Sequence, residues 1–151
     1  MSIRPAPEQL GAPSLTIGAL QLWIHGYHDH GDEDAPDGDW LRVTALCAAS
    51  GASVRVSGPI LTVSDLRRFA DECEALASGG AQTAALSPME PELEVLIVAH
   101  EGGVRLSLEI SLTPDHLTQK HAFQLELERA ALAGMAAQCR ELVAQFPGRA
   151  A

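Results

Sequence analysis

Strict alternation of apolar and polar residues constrains the fold of this chain more than any other feature. It is clearest in two neighbouring runs, residues 93–97 and 104–112, which a glycine-containing turn at residues 101–103 separates. A period of two places all the apolar side chains of a run on one face of a β-strand. Two such runs joined by a short turn predict an antiparallel hairpin.

The same alternation occurs in several other segments. Residues 41–47 and 53–57 alternate on either side of a short glycine-containing turn, which predicts a second hairpin. Residues 14–25 also resemble a strand, but the apolar positions change parity at Gly18, which indicates a bulge or a turn. A further strand is predicted at residues 123–127.

Two segments show the spacing of an amphipathic helix instead. The first follows Thr62, whose hydroxyl and the carboxylate of Asp65 have the spacing of a capping box. Both segments carry an apolar stripe with a cysteine seven residues along it: Leu66, Phe69, Ala70, Cys73 and Leu76 in one, and Leu132, Met135, Ala136, Cys139 and Leu142 in the other. Helices are therefore predicted over about residues 64–78 and 128–146.

The order of strands, helix, strands and helix predicts an α+β fold. We expect a mostly antiparallel sheet that is built from hairpins and covered on one face by the two amphipathic helices. Residues 14–147 are expected to form a single domain, since a chain of 151 residues is long enough for one core. The proline-rich lead-in, residues 1–13, and the tail, residues 148–151, are expected to be flexible.

Cysteine usage and hydropathy indicate a cytoplasmic protein. Cys47, Cys73 and Cys139 are odd in number and far apart, which favours free, buried thiols in a reducing compartment. No run approaches the roughly 18 apolar residues that a membrane-spanning helix requires. Residues 1–13 also lack the apolar stretch of a signal peptide.

Negative charge is concentrated in one part of the chain. The formal net charge of −10 disfavours binding to nucleic-acid phosphates or to an anionic membrane. Residues 29–39 contain no lysine or arginine, and their carboxylates are Asp29, Asp32, Glu33, Asp34, Asp37 and Asp39. We predict that this acidic segment (residues 29–39), with Trp40 at its edge, contacts a basic partner, because opposite charges steer association.

Histidines beside the acidic segment raise a second hypothesis, a metal site. His25, His28 and His30 lie close together in the sequence, and imidazoles with carboxylates can hold a divalent metal. The segment also contains glycine and proline and does not match the spacing of an EF-hand. A solvated loop or a partner surface is therefore favoured over a metal site.

The motifs of common enzyme classes are missing from the sequence. It contains no G-x-S-x-G, no H-E-x-x-H, no Walker-type lysine loop and no G-x-G-x-x-G. We therefore expect no catalytic residues and no cofactor. The alternatives are a metal-binding protein or metal-dependent enzyme that uses the three histidines, and a small-molecule-binding or scaffold domain.

The order of several features resembles one known family. The acidic segment leads into Asp39-Trp40-Leu41-Arg42-Val43, and residues 58–69 read Gly-Pro-Ile-Leu-Thr-Val-Ser-Asp-Leu-Arg-Arg-Phe. An acid-rich strand at residues 90–98, Gly103-Val104-Arg105-Leu106 and a final helix ending at Phe146-Pro147 follow. Over residues 14–147 this order resembles the WapI-type immunity proteins of bacteria, which are small cytosolic α+β proteins encoded beside polymorphic toxins.

The resemblance implies a protein that binds the toxic domain of a cognate toxin and blocks its active site or its access to substrate. Such a toxin is often a nuclease, whose nucleic-acid groove is basic. The resemblance supplies scaffold positions and no site residues. Apolar residues off the main strand parity leave room for a second covered face or a homodimer contact: Leu46, Leu96 and Val98.

Overall fold

A computed structural model of the chain describes residues 10–28 and 39–147. Within these ranges the strands are β1 (Leu15–Ile17), β2 (Leu20–Tyr27), β3 (Trp40–Ala49), β4 (Ala52–Thr62), β5 (Thr83–Leu86), β6 (Leu93–His100), β7 (Arg105–Leu112) and β8 (Ala122–Leu127). The helices are α1 (Val63–Ala77) and α2 (Ala131–Gln145). The ends of the predicted flexible lead-in and tail, residues 1–9 and 148–151, lie outside the described residues.

The strands form two four-stranded antiparallel sheets, ordered β1-β2-β3-β4 in the first sheet and β5-β6-β7-β8 in the second. The predicted α+β class and both predicted hairpins, β3-β4 and β6-β7, are confirmed. The structure differs from the expectation of one sheet covered on one face, because it has two sheets. Alternation determines which face of a strand is buried, but it does not determine which strands pair.

The apolar faces of both sheets contribute to a single core. Strand β7 of the second sheet contacts β3 and β4 of the first. The turn between β1 and β2 also touches the second sheet, since a Cβ atom added to Gly18 would lie 2.6 Å from Cδ2 of Leu108. Gly18 has a φ of 58°, so both its backbone conformation and the close contact favour glycine at the predicted turn.

Helix α1 begins with the predicted capping box. The Thr62 hydroxyl accepts a hydrogen bond from the Asp65 N–H at 3.2 Å, and the Asp65 carboxylate accepts one from the Thr62 N–H at 2.8 Å. Helix α2 begins at Ala131, later than predicted, and its N-cap residue Ala130 makes no side-chain cap.

Each helix covers an edge strand of the sheet formed by the other half of the chain. Helix α1 contacts β5, where Oε1 of Glu72 accepts a hydrogen bond from the Ala85 N–H at 3.0 Å. Helix α2 contacts β1, where Oε1 of Gln138 accepts a hydrogen bond from the Thr16 N–H at 3.0 Å. Glu72 and Gln138 occupy equivalent positions, each directly before the cysteine in the apolar stripe of its helix. Each half of the chain therefore covers a sheet edge of the other half in the same way.

Arg129 joins the two halves at the other end of α1. Its guanidinium donates to the carbonyls of Leu76 at 2.8 Å, Ala77 at 3.0 Å and Gly103 at 3.0 Å. The last turn of α1 has no basic residue of its own, so Arg129 supplies both the donors and the positive charge that a helix C-terminus favours.

Replacing Gln138 with alanine tests the reciprocal edge contact. The change leaves the Thr16 N–H without its acceptor, and we expect the free energy of unfolding to fall by about 1 kcal/mol. Chemical denaturation measures the difference, and Gln145→Ala, at the exposed end of the same helix, is the control. Equal stability of the two variants would contradict a role for the Gln138 contact.

Candidate partner-binding surface

The acidic segment lies between the paired ends of β2 and β3. Asp29, Asp32, Glu33, Asp34 and Asp37, together with His30, lie outside the described residues, whereas Asp39 and Trp40 lie within them. The two strand ends meet through a hydrogen bond from the His28 N–H to the Trp40 carbonyl at 2.8 Å. The acidic segment therefore leaves and re-enters the first sheet at neighbouring positions.

Asp39 and Trp40 are attached to the start of α1. The carbonyl of Asp39 accepts a hydrogen bond from the Val63 N–H at 3.1 Å, and its carboxylate accepts one from the Ser64 hydroxyl at 3.5 Å. A carboxylate near a helix N-terminus is favourable, because the exposed N–H groups there carry partial positive charge. Trp40 is half-buried and pairs with Thr62 in β4. These contacts fix the C-terminal end of the acidic segment to the scaffold.

The described histidines of the proposed metal site have other contacts. Nε2 of His25 lies 2.7 Å from the Thr44 hydroxyl, which lies 3.0 Å from the Ser57 hydroxyl. Within residues 10–28 and 39–147, no group of three or more His, Cys, Asp or Glu side chains is placed to hold a metal ion. The set of His25, His28 and His30 stays a prediction, because His30 lies outside these ranges.

The row of His25, Thr44 and Ser57 is not a nucleophilic site. Activation of a serine requires a direct hydrogen bond to the base, with a third group orienting that base. Here the Ser57 hydroxyl contacts Thr44 rather than the imidazole, and Thr44, whose hydroxyl does contact His25, is buried away from any substrate. These contacts align three neighbouring strands of the first sheet, and they give no catalytic geometry.

Positive charge surrounds His25 on the outer face of the first sheet. Partial burial, followed by the charges of Arg42 and Arg55, lowers the pKa of His25 from the ordinary value of 6.5. Nε and Nη2 of Arg55 are buried and have no hydrogen-bond partner in the described part of the chain. Burial and the two arginines therefore all disfavour the protonated imidazole.

The outer face of the second sheet has the opposite charge, which sequence reasoning missed. Glu94, Glu109 and Glu126 project from β6, β7 and β8 and are all exposed. The strand register places Glu109 opposite Gln124 and Glu126 opposite Ser107, on one face of the sheet. Only the register between strands could have revealed this acidic face (Glu94, Glu109 and Glu126), because its members are far apart in the sequence.

The three cysteines are free and buried, as predicted. Burial raises the pKa of Cys47 to about 11 and the pKa of Cys139 to about 12. The pKa of Cys73 is also raised to about 12, first by burial and then by Cys139 and neighbouring glutamates. Since the thiolate is the reactive form, none of these thiols is suited to nucleophilic chemistry at neutral pH.

No helix within residues 10–28 and 39–147 combines the length and the apolar character needed to cross a membrane.

These features describe a small α+β protein in which two sheets present charged outer faces and one sheet carries an acidic segment. The chain belongs to the immunity protein WapI-like family, whose model matches residues 14–147. The suspected family is therefore confirmed. Immunity proteins of this family are generally not catalysts.

No curated protein matches the chain. Among solved structures, WHY1 from Arabidopsis thaliana is 13% identical with a TM-score of 0.46, and the match covers 85% of this chain and 84% of that one. WHY3 from Arabidopsis thaliana is 13% identical with a TM-score of 0.45, covering 85% and 82%. The plant transcriptional regulator PBF-2 is 11% identical with a TM-score of 0.42, covering 86% and 85%. Likeness at this distance carries no conclusion about function.

The surroundings of His25 give a testable titration. Protonated His25 is disfavoured in the folded chain, so its contribution to stability is full above pH 6.5 and is lost as the pH falls towards the lowered pKa. We expect Arg42→Gln to raise the pKa of His25, as measured by NMR titration of its imidazole protons. Arg67→Gln, on the exposed side of α1, should leave the titration unchanged. An unchanged pKa in Arg42→Gln would rule out Arg42 as a cause.

Proposed function

We propose that this protein neutralises a cognate bacterial toxin by binding its toxic domain and blocking the active site or the access of substrate. Membership of the immunity family, over residues 14–147, is the observation that carries the proposal. The proposed site of action is the cytoplasm, and the proposed partner presents a basic surface, as the nucleic-acid groove of a nuclease does.

The chemistry of the described residues supports binding over catalysis. The thiols are buried with raised pKa values, and the hydroxyl in direct contact with His25, that of Thr44, is buried as well. Three grooves lined by described residues are open, with volumes between about 400 and 490 Å³.

We further propose the acidic segment and Trp40 as one contact region for the toxin. A net charge of −10 steers a basic partner towards the protein, and the acidic segment concentrates that charge beside a partly exposed aromatic ring. Tryptophan is among the residues that most often contribute large binding energies at protein interfaces.

Titration calorimetry with the toxic domain encoded by the gene immediately upstream tests the proposed function. We expect saturable binding, together with protection of cells that express the toxin. Absence of both binding and protection would contradict it.

Neutralising part of the acidic segment tests its role. We expect Asn at positions 32, 34, 37 and 39 to slow association with the toxic domain, because long-range attraction is reduced. The same change should leave the free energy of unfolding within about 0.5 kcal/mol, the usual range for surface substitutions. Stopped-flow mixing at low and high salt measures the rate, since salt screens exposed charges.

The matched control removes the same number of charges elsewhere, by glutamine at Glu90, Glu94, Glu101 and Glu141. Equal slowing in both variants would assign the effect to net charge rather than to the acidic segment. A large loss of stability in the first variant would assign the segment a structural role.

A further inference from the structure

The four outer edge strands of the two sheets differ in how well their open sides are protected from pairing. An edge strand carries unpaired N–H and C=O groups that can pair with another chain, so proteins usually cover or interrupt it. The edges of β1 and β5 are covered by α2 and α1 through Gln138 and Glu72. The edge of β4 is interrupted by Gly58, with a φ of 153°, by Pro59 and by a shift of register.

Strand β8 has none of these devices. Its sequence is Ala-Phe-Gln-Leu-Glu-Leu, with no glycine, proline or lysine, and its one strand neighbour within the described residues is β7. Helix α2 comes near the C-terminal end of β8, where Glu126 and Leu127 share an open groove with Ala131 and Met135. Strand β8 is therefore the least protected of the four edges.

The register shows which backbone groups of β8 point outward. The Leu112 N–H donates to the His121 carbonyl at 3.2 Å, so these opposite residues form a hydrogen-bonded pair. Hydrogen-bonded pairs alternate along an antiparallel ladder, and the same register pairs Leu108 with Leu125 and Glu109 with Gln124. Leu125 therefore bonds to β7, whereas the N–H and C=O of Gln124 point away from it.

The same reasoning applies to Ala122 and Glu126, which lie two residues on either side of Gln124. All three side chains are exposed. No backbone hydrogen bond from these three residues to the open side occurs within the described residues. The open edge therefore presents the N–H and C=O groups of three alternate residues.

The side chains beside this edge differ on its two faces. Phe123 and Leu125 lie on the inner face, half-buried against the core. Glu126 and the neighbouring Glu109 lie on the outer face and are exposed, and Oε1 of Glu126 also lies 3.8 Å from Nη1 of the exposed Arg105. A strand added here would find an apolar strip on one side and carboxylates on the other.

We propose that β8 (Ala122–Leu127) is a docking edge at which an extended segment of the cognate toxin adds a fifth strand to the second sheet. Backbone hydrogen bonds to the outward N–H and C=O groups of Ala122, Gln124 and Glu126 provide the pairing. Alternate residues of that segment are apolar, towards Phe123 and Leu125, and Lys or Arg, towards Glu109 and Glu126. This inference rests on the proposed function.

A second copy of the chain fits the edge less well. Each copy has a net charge of −10, and pairing two β8 strands would bring their acidic outer faces together. Like charges in adjacent strands are destabilising, whereas a basic segment is complementary to the same groups. Charge therefore favours the basic partner.

Gln124→Pro tests the edge directly. Proline removes the outward N–H of residue 124 and leaves the ladder to β7 intact, since that N–H does not bond to β7. We expect affinity for the toxic domain encoded immediately upstream to fall about tenfold or more by titration calorimetry, as the loss of one or two good hydrogen bonds predicts. Gln124→Ala keeps the N–H and should bind within about twofold of the unmodified chain.

A charge variant gives a second measurement if the proline variant does not fold by circular dichroism. Glu126→Lys places a repulsive charge at the edge and should weaken binding by a similar factor. Glu94→Lys makes the same charge change on β6, two strands away, and is the control.

The outcomes separate the two proposals. No binding by the unmodified chain would overturn the proposed function and this inference with it. Binding by the unmodified chain that is equally tight in folded Gln124→Pro, or equally affected by Glu126→Lys and Glu94→Lys, would overturn the docking edge alone. Self-association that disappears in Gln124→Pro, measured by sedimentation velocity, would assign the edge to a second copy and overturn the toxin as its occupant.

Discussion

The two halves of this protein depend on each other through an exchange of helices. Each half forms a sheet followed by a helix, and each helix covers the free edge of the opposite sheet. The hydrogen bonds from Thr16 to Gln138 and from Ala85 to Glu72 satisfy edge N–H groups that would otherwise stay open. Arg129 adds a third link, because its guanidinium binds carbonyls of α1 from the start of α2. The single core follows from this exchange, since neither half closes its own sheet.

The exchange also determines where the protein presents charge and open backbone. With helices at the sheet edges, charged side chains on the outer faces of both sheets remain at the surface. One carries Arg42 and Arg55, and the other carries Glu94, Glu109 and Glu126. The buried groups are apolar or weakly reactive, as the raised pKa values of the thiols show. Such a distribution suits recognition of another macromolecule through surface charge and edge pairing.

Local patterns were sufficient to predict most elements, because their causes lie within a few residues. The capping box of Thr62 and Asp65 and the alternation of β6 and β7 are of this kind. Strand β5, with the sequence Thr-Ala-Ala-Leu, escaped prediction because four residues are too few to show a period. The division into two sheets was also not predicted, because alternation specifies which face of a strand is buried but not which strands pair.

The candidate surfaces were predictable to a different degree. Composition alone identified the acidic segment, since its six carboxylates lie within eleven residues of the sequence. The acidic face of the second sheet depends on the register of three strands, and the outward direction of the Gln124 N–H depends on the pairing of Leu112 with His121. The lowered pKa of His25 likewise depends on burial first and then on Arg42 and Arg55, which belong to other strands. These relations are long-range, so they required the folded structure.

The exchange of helices has a consequence for synthesis on the ribosome. Thr16 and Gln138 are 122 residues apart, so the first sheet can pair its strands long before the helix that seals β1 has been made. During that interval β1 exposes an edge of apolar residues, Leu15 and Ile17, which are fully buried in the finished protein. Nascent chains with open strand edges are prone to aggregation. Formation of the last helix therefore completes the fold. We expect a chain truncated before α2 to be poorly soluble, because α2 is not a peripheral element.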